Sequence, residues 1–404
     1  MSKKNGKSNG AAKKGFSCRL DYSAGNTADS SSEIKISSRL KQFLEKGTVE
    51  LSEDLAAQRE ALGIVAQQRR EKKGFASVGT PSELIAKLEK VGYHCLPYLA
   101  VQMALILNTP ATRVRAILLE GPTGCGKSFM AKSLAKITGA EFMCLSCYRG
   151  MNTDYLIEQP SSFALAKAMA GKLDDTNDLM QLGIISRAYL KSQEKPVILL
   201  IDELDKPDES IDTFFLGPIQ DSKVWLQSRG PIEADPENML IIFTKNYNRK
   251  IDDALYRRVH PITMTYLNAD LERKILSPYC HPKIIENLVE LADIMRYSDG
   301  SYQFDRPPAP EELLYIGLYI MRLLEWNITD FATVGEAIWT MVSKSEHDRA
   351  VLEHMLKFHP NFLDLYPQED NDLKKTIYKK LGRFVLKGVI QSPEDLYDEK
   401  KLIM

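Results

Sequence analysis

The stretch that most constrains this chain is Gly121, Pro122, Thr123, Gly124, Cys125, Gly126, Lys127 and Ser128, a complete G-x-x-x-x-G-K-[ST] pattern. It follows an apolar β-type run, Val114–Leu119, and opens a helical stretch, Phe129–Ile137. That strand–loop–helix setting is what the pattern requires. Its glycines let successive backbone N–H groups turn inward and line an anion nest, and the helix N-terminus adds positive potential. Lys127 provides a mobile charge for the β- and γ-phosphates of a nucleotide. Ser128 provides a small oxygen ligand of the kind Mg²⁺ favours. The pattern therefore predicts ATP and Mg²⁺ as the bound cofactors.

Around this loop, apolar runs recur at Val114–Leu119, Glu141–Ser146, Pro196–Ile201, Met239–Thr244 and about Pro261–Tyr266, the earlier ones separated by helical stretches. Strands alternating with helices imply crossovers and a parallel sheet covered on both faces. Asp202 and Glu203 end the third run, at the carboxyl edge where ligands of an open α/β sheet bind. Asp202 is placed for the metal, Glu203 to polarise an attacking water; the plainer reading is an acidic pair capping the next helix. Asn246 ends the fourth run and is a candidate to orient that water, although a lone Asn after a strand is also a common turn residue. Arg257 and Arg258 precede the fifth run. A guanidinium lent to a neighbouring subunit would stabilise transition-state charge, and Arg258 is favoured over Arg257; a basic pair closing a helix is the alternative. Lys223–Glu233, with a turn at Arg229 and Gly230, reads as a β-hairpin.

Outside this core the chain has a different texture. Residues 1–33 are basic, Ser/Gly/Asn-rich and poor in large apolar groups, the composition of a disordered tail. Residues 34–80 read as a helical N-terminal extension, with a break from Gly74 to Gly79. Thr80, Pro81 and Glu83 form a capping box that opens the core. After about residue 268 the pattern is helical only. With 404 residues and a net charge of -1, nothing global points to nucleic acid or an anionic membrane surface. No apolar run reaches the ~18 residues that a spanning helix needs. The six scattered cysteines fit a reducing cytoplasm rather than a disulfide scaffold. Cys144 and Cys147 make a C-x-x-C, but no second ligand pair completes a zinc site.

Taken in order, Gly121–Ser128, Asp202 with Glu203, the hairpin, Asn246 and Arg257 with Arg258 resemble the AAA+ ATPases. The stretches Leu118–Ser128, Leu145–Asn152, Ile201–Lys206 and Asp253–Arg258 are similar to MoxR-type members, nearest the group related to the carbon-monoxide-dehydrogenase maturation ATPase. The likeness runs from about Leu84 to about Leu352. It implies a P-loop α/β core at 81–267, a five-stranded parallel sheet with a pre-sensor β-hairpin. An α-helical lid at 268–350 and a helical C-terminal extension at 351–404 follow.

The resemblance also implies a homo-oligomeric ring, a hexamer, with ATP between subunits, acting as a chaperone on a protein partner such as a von Willebrand A domain protein or a maturing metal centre. Tyr148–Asp154 is a candidate for the ring's centre or the partner. Tyr93, beside Gly92, is a candidate adenine contact. Many such lids carry an arginine that touches the γ-phosphate; Pro308–Leu313 has none, and Arg306 lies only nearby. Two rival functions are a nucleic-acid-directed motor of a restriction or anti-phage system, whose sequence support is the basic tail, and a nucleotide-dependent binding switch, against which Glu203 argues.

Overall fold

The computed structural model describes residues 75–169, 179–246, 248–297, 302–363 and 373–390. The basic tail and all but the last six residues of the proposed N-terminal extension lie outside these residues. Phe75 and Val78, in a short 3₁₀ turn, are already buried in the core, so the packed unit starts before the capping box. Thr80 then caps α1, Pro81–Lys90: its hydroxyl accepts the Glu83 N–H at 3.3 Å while its own N–H donates to Glu83 Oε2 at 2.7 Å. Helix α2, Pro97–Asn108, is apolar on most sides and buries Leu99, Met103 and Leu107.

Five strands follow: β1 (Arg115–Glu120), β2 (Glu141–Ser146), β5 (Val197–Asp202), β8 (Met239–Lys245) and β9 (His260–Thr263). They form one parallel sheet in the order β2-β5-β8-β1-β9. This is the five-stranded P-loop α/β arrangement expected, and the strand bounds agree with the sequence reading to within a few residues. Alternation along the strands divides the core into two layers. Ile117, Leu119, Ile198, Leu200, Leu240 and Ile242 face α1, α2 and α3 (Lys127–Thr138). Leu118, Leu199, Ile201, Ile241 and Phe243 pack on the other face against α6 (Ile184–Ser192) and α7 (Ser210–Asp221). Burying a side chain of this size stabilises by about 1.5–3 kcal/mol.

Two further features stand between the strands. The hairpin forms as read: β6 (Lys223–Leu226) pairs antiparallel with β7 (Gly230–Glu233), Val224 opposite Ile232, and Gly230 takes the left-handed conformation at φ 77°. A small excursion between β2 and α6 went unread. It contains α4 (Asp154–Ile157), β3 (Glu158–Pro160), α5 (Ser162–Met169) and β4 (Met180–Leu182), with β3 and β4 antiparallel. Strands of three residues, with Glu, Gln and Pro among them, are too short and polar to show a period of two.

Helix α8 (Asp253–Tyr256) lies just before β9, and after that strand comes the lid: α9 (Ala269–Leu276), α10 (Pro282–Tyr297), α11 (Pro310–Glu325), α12 (Phe331–Val342), α13 (Glu346–Phe358), α14 (Pro360–Leu363) and α15 (Leu373–Val385). Helices on both sides of residue 350 share one core, in which Leu288, Ile316 and Ile338 meet Leu352, Phe362 and Leu381. Helices α12 and α15 cross so closely that a Cβ on Gly335 or Gly382 would collide with the carbonyl of Tyr378 or Phe331. The described part of the C-terminal segment is thus built into the lid rather than appended to it. No helix among the described residues is long and apolar enough to cross a membrane.

Candidate nucleotide site at the strand tips

Register brings the site together. Glu120 pairs with Lys245 and Ser146 with Asp202, so β1, β2, β5 and β8 end at one level. From that edge Gly121–Gly126 turns into α3. Gly124 and Gly126 hold φ at 82° and 92°, a region open to glycine at little cost. Lys127, 8% exposed, curls back: its ammonium donates to the carbonyls of Gly121 (2.9 Å) and Pro122 (2.8 Å) and to Asn246 Oδ1 (2.9 Å). Burial lowers its pKa, offset by Cys125 and the nearby acids Asp202, Asp205 and Glu203. Cys125 is buried beneath the loop, and burial raises its thiol pKa against the pull of Lys127. Thr123, exposed, lies 3.4 Å from Asn246 through its hydroxyl.

Asp202 is the hub on the acidic side. Its Oδ1 accepts from Ser128 Oγ at 2.7 Å and from Thr244 Oγ1 at 2.6 Å. Thr244 Oγ1 also accepts the N–H of Glu203 at 2.9 Å, and its carbonyl accepts Leu204 N–H at 2.8 Å. Those two bonds hold Glu203 at φ 59°, a left-handed conformation costing a non-glycine residue on the order of 1 kcal/mol. The bend turns the chain at Glu203 off the strand line, where its carboxylate meets Lys206 in an ion pair. Asp205 Oδ2 accepts the Asn246 N–H at 3.2 Å and so ties the tips of β5 and β8. Thr244, Asp205 and Lys206 went unread in the sequence. Thr244 hides inside an apolar run, and a second aspartate two residues past an acidic pair has no spacing signature.

The donor set around Ser128 and Asp202 is all oxygen and fits a hard divalent cation sharing its shell with phosphate. Beside it opens a cavity of about 710 Å³ between core and lid. Gly92, Tyr93 and His94 line one wall, Phe129 and Lys132 another, and Lys274, Tyr279, Glu311 and Leu314 of the lid region face them. Tyr93 is buried, with its ring 5.5 Å from Phe129 and near Gly126. The lid bears directly on the loop, because a Cβ at Gly124 would collide with that of Ala309. Arg306 does not line this cavity; the lid's cation there is Lys274.

The remaining candidates sit apart from it. Arg258 is held within its own chain: Nε and Nη2 donate to Gln220 Oε1 at 2.9 and 2.7 Å, and Nη1 to the carbonyl of Ala254 at 2.8 Å. Arg257 is exposed. Cys144 is exposed on β2 and Cys147 is buried just past it. Burial and the acids at the strand tips push the Cys147 thiol up to about 12, which suits an inert core thiol.

The fold is the P-loop α/β arrangement of AAA+ domains. Consistent with this, residues 116–259 match the profile of the AAA domain of the dynein-related subfamily. Among curated proteins the chain is similar to the Lon protease of Mycoplasma mycoides subsp. mycoides, at 25% identity over 290 residues, covering 67% of this chain and 33% of that protease. It is also similar to a mitochondrial sorting homolog of Caenorhabditis elegans, at 23% over 229 residues, covering 55% and 58%. The chain spans about a third or less of the length of the bacterial proteases it matches first. A proposed ATPase of known structure from Cytophaga hutchinsonii aligns at TM-score 0.35 and 14% identity over 65% of this chain and 81% of that one.

Proposed function

We propose that this chain hydrolyses ATP as one subunit of a MoxR-type AAA+ ring and uses the cycle to remodel a protein partner. The observation that carries the reading is the convergence of Lys127, Ser128, Asp202, Thr244, Glu203 and Asn246 on one sheet edge beside an open cavity. The loop from Gly121 to Ser128 encloses the triphosphate with its amides, and Lys127 exchanges its carbonyl contacts for the β- and γ-oxygens. Ser128 and Asp202 would hold Mg²⁺, which would supply positive charge against the phosphates. Tyr93 supports the nucleotide-side wall, and the base lies in the cavity between Gly92 and the lid. Glu203, released from Lys206, accepts a proton from the attacking water, and Asn246 orients that water or the γ-phosphate. Arg258, or the exposed Arg257, completes the site of the next subunit in a hexamer.

A protein partner is favoured over a nucleic acid because the proteins it resembles include several named as proteases; that proteolysis is theirs. A von Willebrand A domain protein or an assembling metal centre is the partner class the MoxR likeness suggests. The test is Glu203→Gln. It should keep ATP affinity within about twofold and lower turnover by about 10²–10⁴, the range for loss of a general base. Undiminished turnover would remove Glu203 from the mechanism.

A further inference from the structure

Next to the acidic strand tip lies an ion pair that the hydrolytic scheme does not use, its carboxylate fully buried and its guanidinium partly exposed. Asp212, fully buried on α7, receives the guanidinium of Arg249 on both oxygens, Nη1 to Oδ2 at 2.7 Å and Nη2 to Oδ1 at 2.9 Å. Nη2 also donates to the carbonyl of Leu204 at 2.9 Å, the residue after Glu203. Asp212 Oδ2 accepts in addition the N–H of Asp252 at 2.9 Å. Asp252 is the N-cap of α8 and accepts from Ala254 and Leu255 at 2.7 and 3.3 Å. Helix α8 ends at Tyr256 with Arg257 and Arg258 directly after it, and the Arg258 side chain is anchored on Gln220, at the far end of the same α7 that carries Asp212.

One pair thus joins three pieces: the turn that carries Glu203, the loop three residues past Asn246, and the helix that presents the basic pair. A stability role alone is a weak account of it. Desolvating the Asp212 carboxylate and most of the guanidinium offsets much of their attraction, and an apolar pair of equal volume often serves as well. A planar, five-donor fork is suited to fixing several acceptors at once. The geometry points to a positioning role. We propose that Arg249 and Asp212 transmit the state of the Glu203 and Asn246 tips to the arginines this subunit lends its neighbour. The proposal rests on the shared-site reading above, in which those arginines act in trans.

The test is Arg249→Lys, which leaves Asp212 a counter-charge but cannot reach Leu204 and both Asp212 oxygens together. In the full chain, ATP affinity should stay within about twofold, while kcat at saturating ATP falls at least about tenfold. Mixed with Glu203→Gln subunits, Arg249→Lys subunits should turn over faster than either parent, because the partner's intact relay delivers arginines to an intact Glu203. A parallel mixture uses the Arg257→Ala/Arg258→Ala double variant with Glu203→Gln. If that mixture recovers activity and the Arg249→Lys mixture does not, Arg249 acts only within its own site and the proposal is overturned. If neither recovers, the shared site fails and the relay with it. The pair Asp212→Asn/Arg249→Gln, which leaves no buried charge unpaired, should show the same loss and the same recovery; wild-type kcat there overturns the relay.

Discussion

At the scale of single residues, the site is organised by one carboxylate and one ammonium. Asp202 accepts from Ser128 and Thr244 on the same oxygen, while Lys127 gathers two loop carbonyls and Asn246. Because Lys127 is buried and its pKa lowered by that burial, an anion entering the loop restores a favourable environment for its charge. Lys127→Ala should therefore weaken ATP binding by at least about tenfold, ~1.4 kcal/mol, in calorimetric titration. Unaltered affinity would contradict the phosphate assignment. Thr244 teaches a related point. Its hydroxyl connects Asp202 to the bent backbone of Glu203, yet no pattern in an apolar strand marks its role.

At the scale of elements, the caps are where local chemistry is most legible. Asp330 begins α12 by accepting the Thr333 N–H at 2.9 Å and its hydroxyl at 2.8 Å. Those bonds hold the Asp330 carboxyl below the usual aspartate range. A depressed folded-state pKa stabilises above the unfolded value, near ~3.9, and the contribution is lost as pH falls through the folded value. Asp330→Ala should cost about 1 kcal/mol near neutral pH, seen as faster hydrogen exchange along α12. That difference from the parent should fade on acidification below pH ~4; a constant difference would mean that packing, not the cap, is responsible. The junction of core and lid is also organised at this scale. Arg296 pairs with buried Glu272 at 2.7 Å, stacks 4.4 Å from the Tyr266 ring and holds the Pro308 carbonyl beside Ala309. Three segments around the cavity are thereby joined, and Ala309 is pressed against Gly124.

At the scale of the molecule, the site described within one chain is half of the proposed catalytic unit. The cavity opens between core and lid, and the basic pair lies at the start of β9, away from the loop of its own subunit. ATP held without hydrolysis should then favour assembly. Glu203→Gln with ATP is expected to sediment as a ring, a hexamer on the present reading, and Lys127→Ala to remain smaller under the same conditions. Equal sedimentation of the two, with ATP bound only by the first, would separate assembly from nucleotide.

What the residues alone determined is local and periodic. The glycine spacing of Gly121–Ser128, the apolar runs that became a doubly covered sheet, the capping box at Thr80 and the acidic pair at a strand end each follow from chemistry within a few residues. What tertiary structure decided needs separate stretches of chain in one place. Lys127 reaching Asn246, the lid resting on Gly124, and the pairing of Asp212 with Arg249 arise from strand register and helix packing across dozens of residues, where sequence distance carries no trace of spatial contact.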